Sequence, residues 1–386
     1  MRVVFDARHL QTVARVRGIG RYTRNLLSAF ARQVPADVEW TLLRLRNFPA
    51  ADPQPLPPHR DLQTIRLRRP ELSMLAADPF LLPLELPFAR PHVYHGVQLS
   101  LPAVRGYAAV ATVHDLAPLR WPEHYLRTPW AKVGHRSQYA LARKADAIIA
   151  PSRSTKEDLV ARLGVPEERV HVIAEAVDHD FAPPSRQEGR RIARARFLTH
   201  PGAAGSGAER YVLYVGQFDP RKNMDALLSA FARGAERDPD LRLVIVGQLG
   251  KLRSFLDDAL GRAHARRESV IVTGHVDEPT LAALYAGAEC LLHASLLEGF
   301  GLTPLESLAA GTPVVAYRAG AVKEVVADAG LLVEEGDAAS LGDALVKFLG
   351  DESLASSLRA RAKPRAALFS WDQAARETLD LYRAVS

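Results

Sequence analysis

Two carboxylates, Glu298 and Glu306, stand with seven residues between them in LEGFGLTPLESLAAG, residues 297–311. A strand-like run, CLLHA, leads into this glycine-rich stretch, and a short helix is expected after it. Gly299 and Gly301 let backbone N–H groups approach a ligand closely. A helix N-terminus beside them favours an anion. Glu298, ahead of the helix, and Glu306, in its first turn, are placed to grip different parts of one ligand. Glu306 also has a purely local reading. With Thr303 it forms a T-x-x-E capping box, with Pro304 at the first helical position and Gly311 ending the helix. A second constellation is Arg221-Lys222 in YVGQFDPRKN, again strand, loop and helix. Cations are poorly placed at a helix start, so a diphosphate that both could bind explains the pair better. Third, His114 and Asp115 end the apolar run AAVATVHD.

These groups need elements to hold them. In the first half, short apolar runs predict strands at 3–5, 39–43, 62–67, 92–95, 108–113, 146–150 and 170–174. Helical spacing follows Gly18 (Ile19, Tyr22, Leu26, Leu27, Phe30) and covers 131–144 and 153–163. The proline-rich stretch 49–91 reads as a loop-rich insertion. The second half alternates more regularly. Strands are expected at 211–215, 241–246, 270–273, 290–294, 313–316 and 331–333. Helices are expected at 224–236, 250–266, 278–287, 304–310, 320–327 and 338–349. Strand–helix alternation of this kind predicts parallel sheets covered on both faces. Ligands then belong at the carboxyl ends of the strands. Between the halves, 182–210 opens on a proline pair and ends in a Gly/Ala/Ser run, an interdomain connection by composition.

Composition narrows the function classes. The chain has 386 residues, 47% hydrophobic and 24% charged, which excludes wholesale disorder. A single cysteine, Cys290, excludes a disulfide framework and a cysteine-built metal site. No apolar run is long enough for a transmembrane helix, and MRVVFDARHL lacks the apolar core of a signal peptide. Residues 1–110 hold 15 Arg, no Lys and 8 acidic residues, a balance of +7, whereas the whole chain is +6. That basic third suits a phosphate-bearing ligand or an anionic membrane face. An arginine-biased solvated surface explains it equally well, since the chain has 42 Arg and 8 Lys. The arginines are dispersed with no nucleic-acid motif, so nucleic acid is not the expected partner. Gly18-Ile19-Gly20 resembles the start of a dinucleotide fingerprint, but position 23 is Thr, which argues against hydride chemistry on NAD. Asp178-His179-Asp180 has the form of a D-x-D metal motif, which a family resemblance, and not the residues themselves, assigns to a structural segment before the linker. Asp6 and His9 have no assigned role, and His95 and Arg105 fit a ligand-lining or a structural place equally.

Glu298 and Glu306, with GFG between them, resemble the signature of the retaining glycosyltransferases of family 4. The resemblance covers nearly the whole chain. It extends to RGIGRYTRNLL (17–27), TVHDLAPLRWPEHY (112–125), APSRSTKEDL (150–159), AVDHDFAP (176–183), YVGQFDPRKNMDALLSAF (214–231) and FSWDQAARETLDLYRAV (369–385). It implies the GT-B fold, an α/β architecture of two Rossmann-like domains with parallel sheets facing a central cleft. The domain boundaries expected are 1–183 for the acceptor domain, 184–209 for the linker and 210–369 for the donor domain. The last helix, 370–386, returns to the first domain.

The resemblance also implies roles. Lys222 and Arg221 hold the donor diphosphate, with backbone amides of Gly299, Phe300, Gly301, Leu302 and Thr303. Gln217 stands where many members carry a basic residue, so Arg221 is expected to supply the second charge. Glu298 binds sugar hydroxyls and Glu306 the ribose. Gly216 belongs to the phosphate loop, and Gly274, His275 and Val276 edge the nucleobase. Gly18 and Gly20 let the chain approach the donor phosphate or acceptor. His114 positions the sugar and stabilises charge at the anomeric carbon, partly through its carbonyl. The implied catalytic set is His114, Glu298 and Lys222, with no metal and no cofactor beyond the nucleotide sugar itself. The implied reaction is retaining transfer of a hexose to a glycan or lipid-linked acceptor, in cell-surface polysaccharide or glycoconjugate synthesis. GDP-mannose is the first choice of donor and a UDP-hexose the second. The expected place is the cytoplasm, peripheral to the inner membrane face. A phosphorylase or epimerase of the same fold, or a non-catalytic sugar-nucleotide-binding module, remain open readings of the same residues.

Overall fold

The computed structural model describes residues 1–33, 37–49, 52, 55–66, 70–198, 210–217, 219–247, 253–263 and 266–386. The chain divides into two units, Met1–His179 with Phe369–Ser386, and Asp180–Leu368.

The first unit runs β1 (Arg2–Asp6), α1 (Gly18–Gln33), β2 (Glu39–Leu45), β3 (His59–Thr64), α2 (Pro70–Glu85), β4 (Val93–Gly96) and β5 (Ala108–Thr112). It continues through α3 (Ala117–Arg120), α4 (Pro122–Tyr125), α5 (Pro129–Ala142), β6 (Ala147–Ala150), α6 (Arg153–Leu163) and β7 (Val170–Val172). All strand pairs are parallel, in the order β3-β2-β1-β4-β5-β6-β7. Burial on both faces explains why these strands read as unbroken apolar runs. In β1, Val3 and Phe5 join a cluster with Leu26, Phe30 and Trp40, while Val4 joins Leu43, Tyr94 and Ile148 on the other face.

The second unit contains α7 (Arg186–Ala193), β8 (Tyr211–Val215), α8 (Met224–Arg237), β9 (Arg242–Val246), α9 (Arg253–Arg262), β10 (Val270–Gly274) and α10 (Glu278–Gly287). β11 (Leu291–His293), α11 (Leu302–Ala309), β12 (Val314–Tyr317), α12 (Val322–Val326), β13 (Gly330–Val333), α13 (Ala338–Gly350) and α14 (Glu352–Ala366) complete it. Its sheet is parallel, ordered β10-β9-β8-β11-β12-β13. The chain then ends in α15 (Trp371–Val385), which packs on α1 in the first unit. Within the expected connection, Arg186–Ala193 and the π-helical turn Arg194–Leu198 are ordered, and α7 packs on α10. Its Gly/Ala/Ser run, 199–209, lies outside the described residues, as do 248–252 and 264–265 around α9.

Each sheet has one topological switch point. In the second unit the chain moves outward from β8 to β9 and β10, then returns to lay β11 on the other side of β8. In the first unit the switch lies between β1 and β4. Crevices at the carboxyl ends of such strands are where open α/β sheets bind ligands.

One expectation fails. The stretch 49–91 is not a loop-rich insertion, because it holds β3 and the sixteen-residue helix α2 with Pro79 and Pro83 inside it. Proline lacks the N–H that would bond the carbonyl four residues earlier. Here both orphaned carbonyls find other donors. Gln138 Nε2 donates to the Leu75 carbonyl at 3.4 Å, and the Ala103 amide donates to the Pro79 carbonyl at 2.9 Å. Asp78 of α2 is also fully buried against Arg8, at 2.7 and 3.0 Å, and against Arg66 at 2.7 Å. Arg8 in turn grips Asp6 at the end of β1, at 2.7 and 2.8 Å.

Candidate functional site

The second unit's switch point carries a dense ionic cluster. Behind β8 comes the turn Pro220–Lys222, capped by Asp219, whose carboxylate accepts from the Arg221 amide at 3.1 Å. Behind β11 comes the loop holding Glu298. The two loops are stitched together: the Leu296 amide donates to the Arg221 carbonyl at 2.7 Å, and Ser295 Oγ donates to the same carbonyl at 3.2 Å. This stitching sets the side chains face to face. Lys222 Nζ lies 2.5 Å from Glu298 Oε1, and Arg221 Nη1 lies 3.2 Å from Oε2 and 3.0 Å from the Leu297 carbonyl. His293 Nε2 adds a third contact, 3.1 Å from Oε1.

Glu298 is 8% and Lys222 9% exposed, so charge interactions here are weakly screened. Burial pushes the Glu298 carboxyl up, but Lys222 and Arg221 outweigh it and hold it well below the usual range. Burial pulls Lys222 down, and Glu298 opposes that pull. Burial also lowers His293, helped by the two cations, which leaves a neutral ring that donates Nε2–H to Glu298. His293 was not singled out from the sequence. Its signal is its position at the end of β11.

Glycines shape the surroundings. Gly216, Gly247 and Gly274 end the adjacent strands β8, β9 and β10, and an ideal Cβ on Gly247 would stand 2.1 Å from the Gly216 carbonyl. The Gly216 amide donates to the Val246 carbonyl and the Gly247 amide to the Gly274 carbonyl. The result is a backbone ledge at three strand ends, with His275 exposed and Val276 half-buried just beyond it. Gly320, at φ +53°, lets a second loop close on Glu298: the Ala321 amide donates to the Glu298 carbonyl at 3.0 Å. Neither Gly247 nor Gly320 was marked in the sequence.

Glu306 differs from its expected local role. α11 begins at Leu302, its N-cap is Gly301 at φ +103°, and no side chain caps it. Thr303 therefore lies inside the helix, no T-x-x-E box forms, and Glu306 falls in the second turn rather than the first. Glu306 is buried, and Tyr285 Oη donates to its Oε2 at 2.7 Å. The helix starts two residues earlier than expected because glycine tolerates the left-handed cap. Gly299 and Phe300 are buried at the loop's turn, while Leu302 and Thr303 are half-buried.

His114, Gly18 and Gly20 belong to the first unit. Gly18 has open space about its Cα, but a Cβ on Gly20 would meet the Ala14 carbonyl at 2.4 Å, so Gly20 permits close packing of α1 on the turn before it. His114 lies just past β5 in a cage of strand ends. Its Nδ1 is 3.0 Å from Glu175 Oε1 and its Nε2 is 3.1 Å from the Val97 carbonyl. Glu175, also unmarked in the sequence, is 3% exposed. His95 is buried as well, between Tyr382 of α15 and Thr112 of β5, which makes it structural. Arg105 pairs with Asp146 on the surface. Asp178 accepts from Arg21, Arg24 and Asn25 of α1 and so serves as an anchor for that helix.

Comparison with known proteins fits this geometry. Residues 16–181 match the family described as Glycosyltransferase Family 4, and residues 201–365 match Glycosyl transferases group 1. The chain is 29% identical over 297 residues to O-antigen chain mannosyltransferase B of Escherichia coli, covering 76% of this chain and 74% of that protein. It is 30% identical over 311 residues to D-inositol 3-phosphate glycosyltransferase 1 of Catenulispora acidiphila, covering 76% and 71%. Against the serotype-specific mannosyltransferase WbdA of E. coli, at 28% identity, the matched region spans only 33% of the relative. Among solved structures, sucrose-phosphate synthase from Thermosynechococcus elongatus superposes with a TM-score of 0.76 at 24% identity, over 100% of this chain and 98% of that one. Two parallel-sheet units of this kind, superposing on that structure, are the GT-B fold. The chain is a glycosyltransferase belonging to family 4, the group 1 glycosyl transferases.

Proposed function

We propose that this glycosyltransferase moves a hexose from a nucleotide-diphosphate sugar to a hydroxyl of a glycan or lipid-linked acceptor, retaining the anomeric configuration. Mannose from GDP-mannose is the first choice. The observation that carries the reading is the convergence of Lys222 and Arg221 on Glu298 at the switch point of the second sheet. Lys222, buried, and Arg221, half-buried, converge on that carboxylate, with Asp219 3.7 Å from Arg221 Nε, and an incoming diphosphate competes with these carboxylates for the two cations. That matches a leaving group whose charge grows as the bond to the sugar breaks. The uncapped N-terminus of α11 favours the same anion. In this reading Glu298 turns to the sugar hydroxyls, Glu306 to the ribose, and the Gly216–Gly247–Gly274 ledge to the nucleoside, with His275 and Val276 at its edge. His114, Gly18 and Gly20 serve the sugar and acceptor.

The charge state of Glu298 also bears on mechanism. Both its oxygens are engaged and its basicity is suppressed, which makes it a poor nucleophile or base. Retention by front-face displacement needs neither. The bond from the anomeric carbon to the diphosphate oxygen breaks, the bond to the acceptor oxygen forms on the same face, and the acceptor's proton passes to the leaving phosphate. Arg221 and Lys222 supply the positive charge at that phosphate, so no metal ion is required by this scheme. The mannose preference rests on the likeness to O-antigen mannosyltransferase B.

A thermal-shift panel tests the donor assignment without an acceptor. A ligand that binds only the folded form at a hundred times its Kd stabilises by about 2.7 kcal/mol. GDP and GDP-mannose are expected to raise Tm most. A larger rise with UDP sugars replaces the donor, and no rise with any nucleotide removes the reading.

An anionic membrane face is proposed as a second partner. Among the described residues, ten of the eleven exposed large hydrophobic side chains lie in the first unit. Phe80, Leu84 and Phe88 recur at intervals of four along α2 and the 3-10 turn that extends it. Trp130 and Val133 project from α5, which packs on α2. α5 carries Lys132 and Arg136 and no acidic residue. Interfacial aromatics with basic neighbours suit an acidic lipid surface, at about 1 kcal/mol per basic residue. No helix among the described residues is long and apolar enough to cross a membrane. Sedimentation with phosphatidylglycerol vesicles is expected to carry the protein down, and Phe88→Ser with Trp130→Ser to reduce this at least fivefold. Equal binding by the double variant sinks this partner.

A further inference from the structure

His114 sits where three strand ends meet, and its surroundings dictate its protonation. The Val97 carbonyl, just past β4, can only accept, so Nε2 must carry a proton. Glu175, just past β7, faces Nδ1 at 3.0 Å. One further proton lies between Nδ1 and that carboxyl. A carboxylate facing Nδ1, with Nε2 already donating to a carbonyl, favours the charged ring, and an imidazolium–carboxylate pair results.

We propose that Glu175 is a positioning residue that, with the Val97 carbonyl, locks His114 as an imidazolium at the strand ends of the first unit, and that sugar transfer uses this charged form. The role assigned to His114 rests on the glycosyltransferase reading above; the locking of the ring does not. Both ring N–H groups are spent inside the unit, so the ring is neither an acid nor a base toward the substrate. It is a fixed positive charge, suited to an anionic group of a ligand and not to positive charge at the anomeric carbon. The expectation that His114 relieves charge on the sugar carbon can then apply only to its main-chain carbonyl.

The neighbours fit this assignment. Burial pulls the imidazole down, but the hydrogen bond and charge of Glu175, with Asp115 and the Val97 carbonyl, outweigh it and raise the ring above the ordinary histidine value. His95, from β4, is the other titratable ring nearby, and burial pushes it to about 3, so it stays neutral and does not compete. Tyr22 of α1 packs edge-to-face against His114, with centroids 4.9 Å apart, and burial holds its phenol neutral. The Tyr22 hydroxyl shares Thr112 Oγ1 with His95, which bonds Tyr382 of α15. The C-terminal helix thereby helps to hold the ring that holds His114.

The sign of the pH effect follows. A group whose pKa is raised on folding contributes stability fully below its unfolded value, about 6.5 for histidine. That contribution is lost as pH rises through the folded value. Imidazole nitrogen resonances of full-length protein, labelled with nitrogen-15 in histidine, provide the first readout, with His114→Asn used for assignment. At pH 7 both His114 nitrogens are expected in the imidazolium range. In Glu175→Gln, which keeps an acceptor but removes the charge, the midpoint falls by at least one unit. The alkaline limb of kcat moves down with it, while the donor KM changes less than threefold. A wild-type midpoint at or below 6.5, or an unchanged midpoint in Glu175→Gln, overturns the proposal. So does a shifted midpoint with an unmoved kcat profile. If the wild-type protein transfers no sugar at all but the midpoints behave as stated, the locked ring stands and the glycosyltransfer reading of this site falls alone.

Discussion

Lys222→Met lowers turnover at least a hundredfold. The Nζ of Lys222 is the most buried positive charge at the candidate phosphate end, 2.5 Å from Glu298. Removing one preorganised charge that opposes a developing anion typically costs about 10²–10³ in rate, or ~3–4 kcal/mol. Methionine keeps the length and apolar stem, so packing changes little. Stability does change, because Glu298 keeps Arg221 and His293 but loses the cation 2.5 Å from its Oε1. Breaking a buried ion pair from one side costs about 3–5 kcal/mol, and Arg221 offsets part of that. A Tm drop of several degrees is therefore expected. The control is Lys222→Met with Glu298→Gln. The double variant recovers most of the lost Tm because the buried carboxylate is gone and Arg221 keeps Asp219, 3.7 Å from its Nε, but it recovers no activity. Initial rates with saturating GDP-mannose, beside calorimetry of the same samples, check both halves. Turnover within threefold of wild type in Lys222→Met ends the assignment of this residue.

Glu298→Gln also cuts turnover a hundredfold or more, and it changes the pH dependence of stability. Glutamine preserves shape and an acceptor oxygen but leaves Arg221 and Lys222 facing each other without the shared carboxylate. Burial already pulls Lys222 down, so the variant lets it shed its proton more readily. In the wild type, the carboxyl of Glu298 sits well below the usual range, with burial opposing and Lys222 and Arg221 prevailing. A group depressed on folding contributes stability above its unfolded pKa, about 4.3 for glutamate, and loses it as pH falls through the folded value. Wild-type Tm is thus expected to fall on acidification below about pH 4.3, toward the depressed folded value. Glu298→Gln is expected to start lower at neutral pH and to fall less. Parallel acid limbs for the two proteins contradict the buried ion pair. The donor gain in thermal shift should shrink in the variant as well, if Glu298 holds the sugar.

Much of the fold could be read locally. Strands such as Tyr211–Val215 and Arg242–Val246 are buried in parallel sheets, and their apolar runs announce themselves without any partner being known. The loop containing Glu298 and the Arg221-Lys222 turn were visible for a similar reason. Glycines, a proline and charged groups were crowded where a strand should give way to a helix. The alternation of strand and helix then placed both loops at carboxyl ends of a sheet.

What escaped local reading depended on residues far apart in the chain. α2 is a helix despite Pro79 and Pro83 because Gln138 and the Ala103 amide satisfy the carbonyls that proline abandons. Propensity counts the broken bonds and cannot see their replacements. Glu306 looked like a cap because spacing alone allowed it; the left-handed Gly301 moved the helix start and Tyr285 took the carboxylate. His293 and Glu175 carry no motif: His293 bonds Glu298 five residues on but owes its neutral state to burial beside Lys222 and Arg221, and Glu175 meets His114 only when the chain past β7 reaches the end of β5. Residue type and order thus specified which groups were available and at which end of a sheet they would stand. Folding alone decided their partners and charge states, since a pKa or a shared proton depends on distances of about 3 Å between segments that the chain separates by tens of residues.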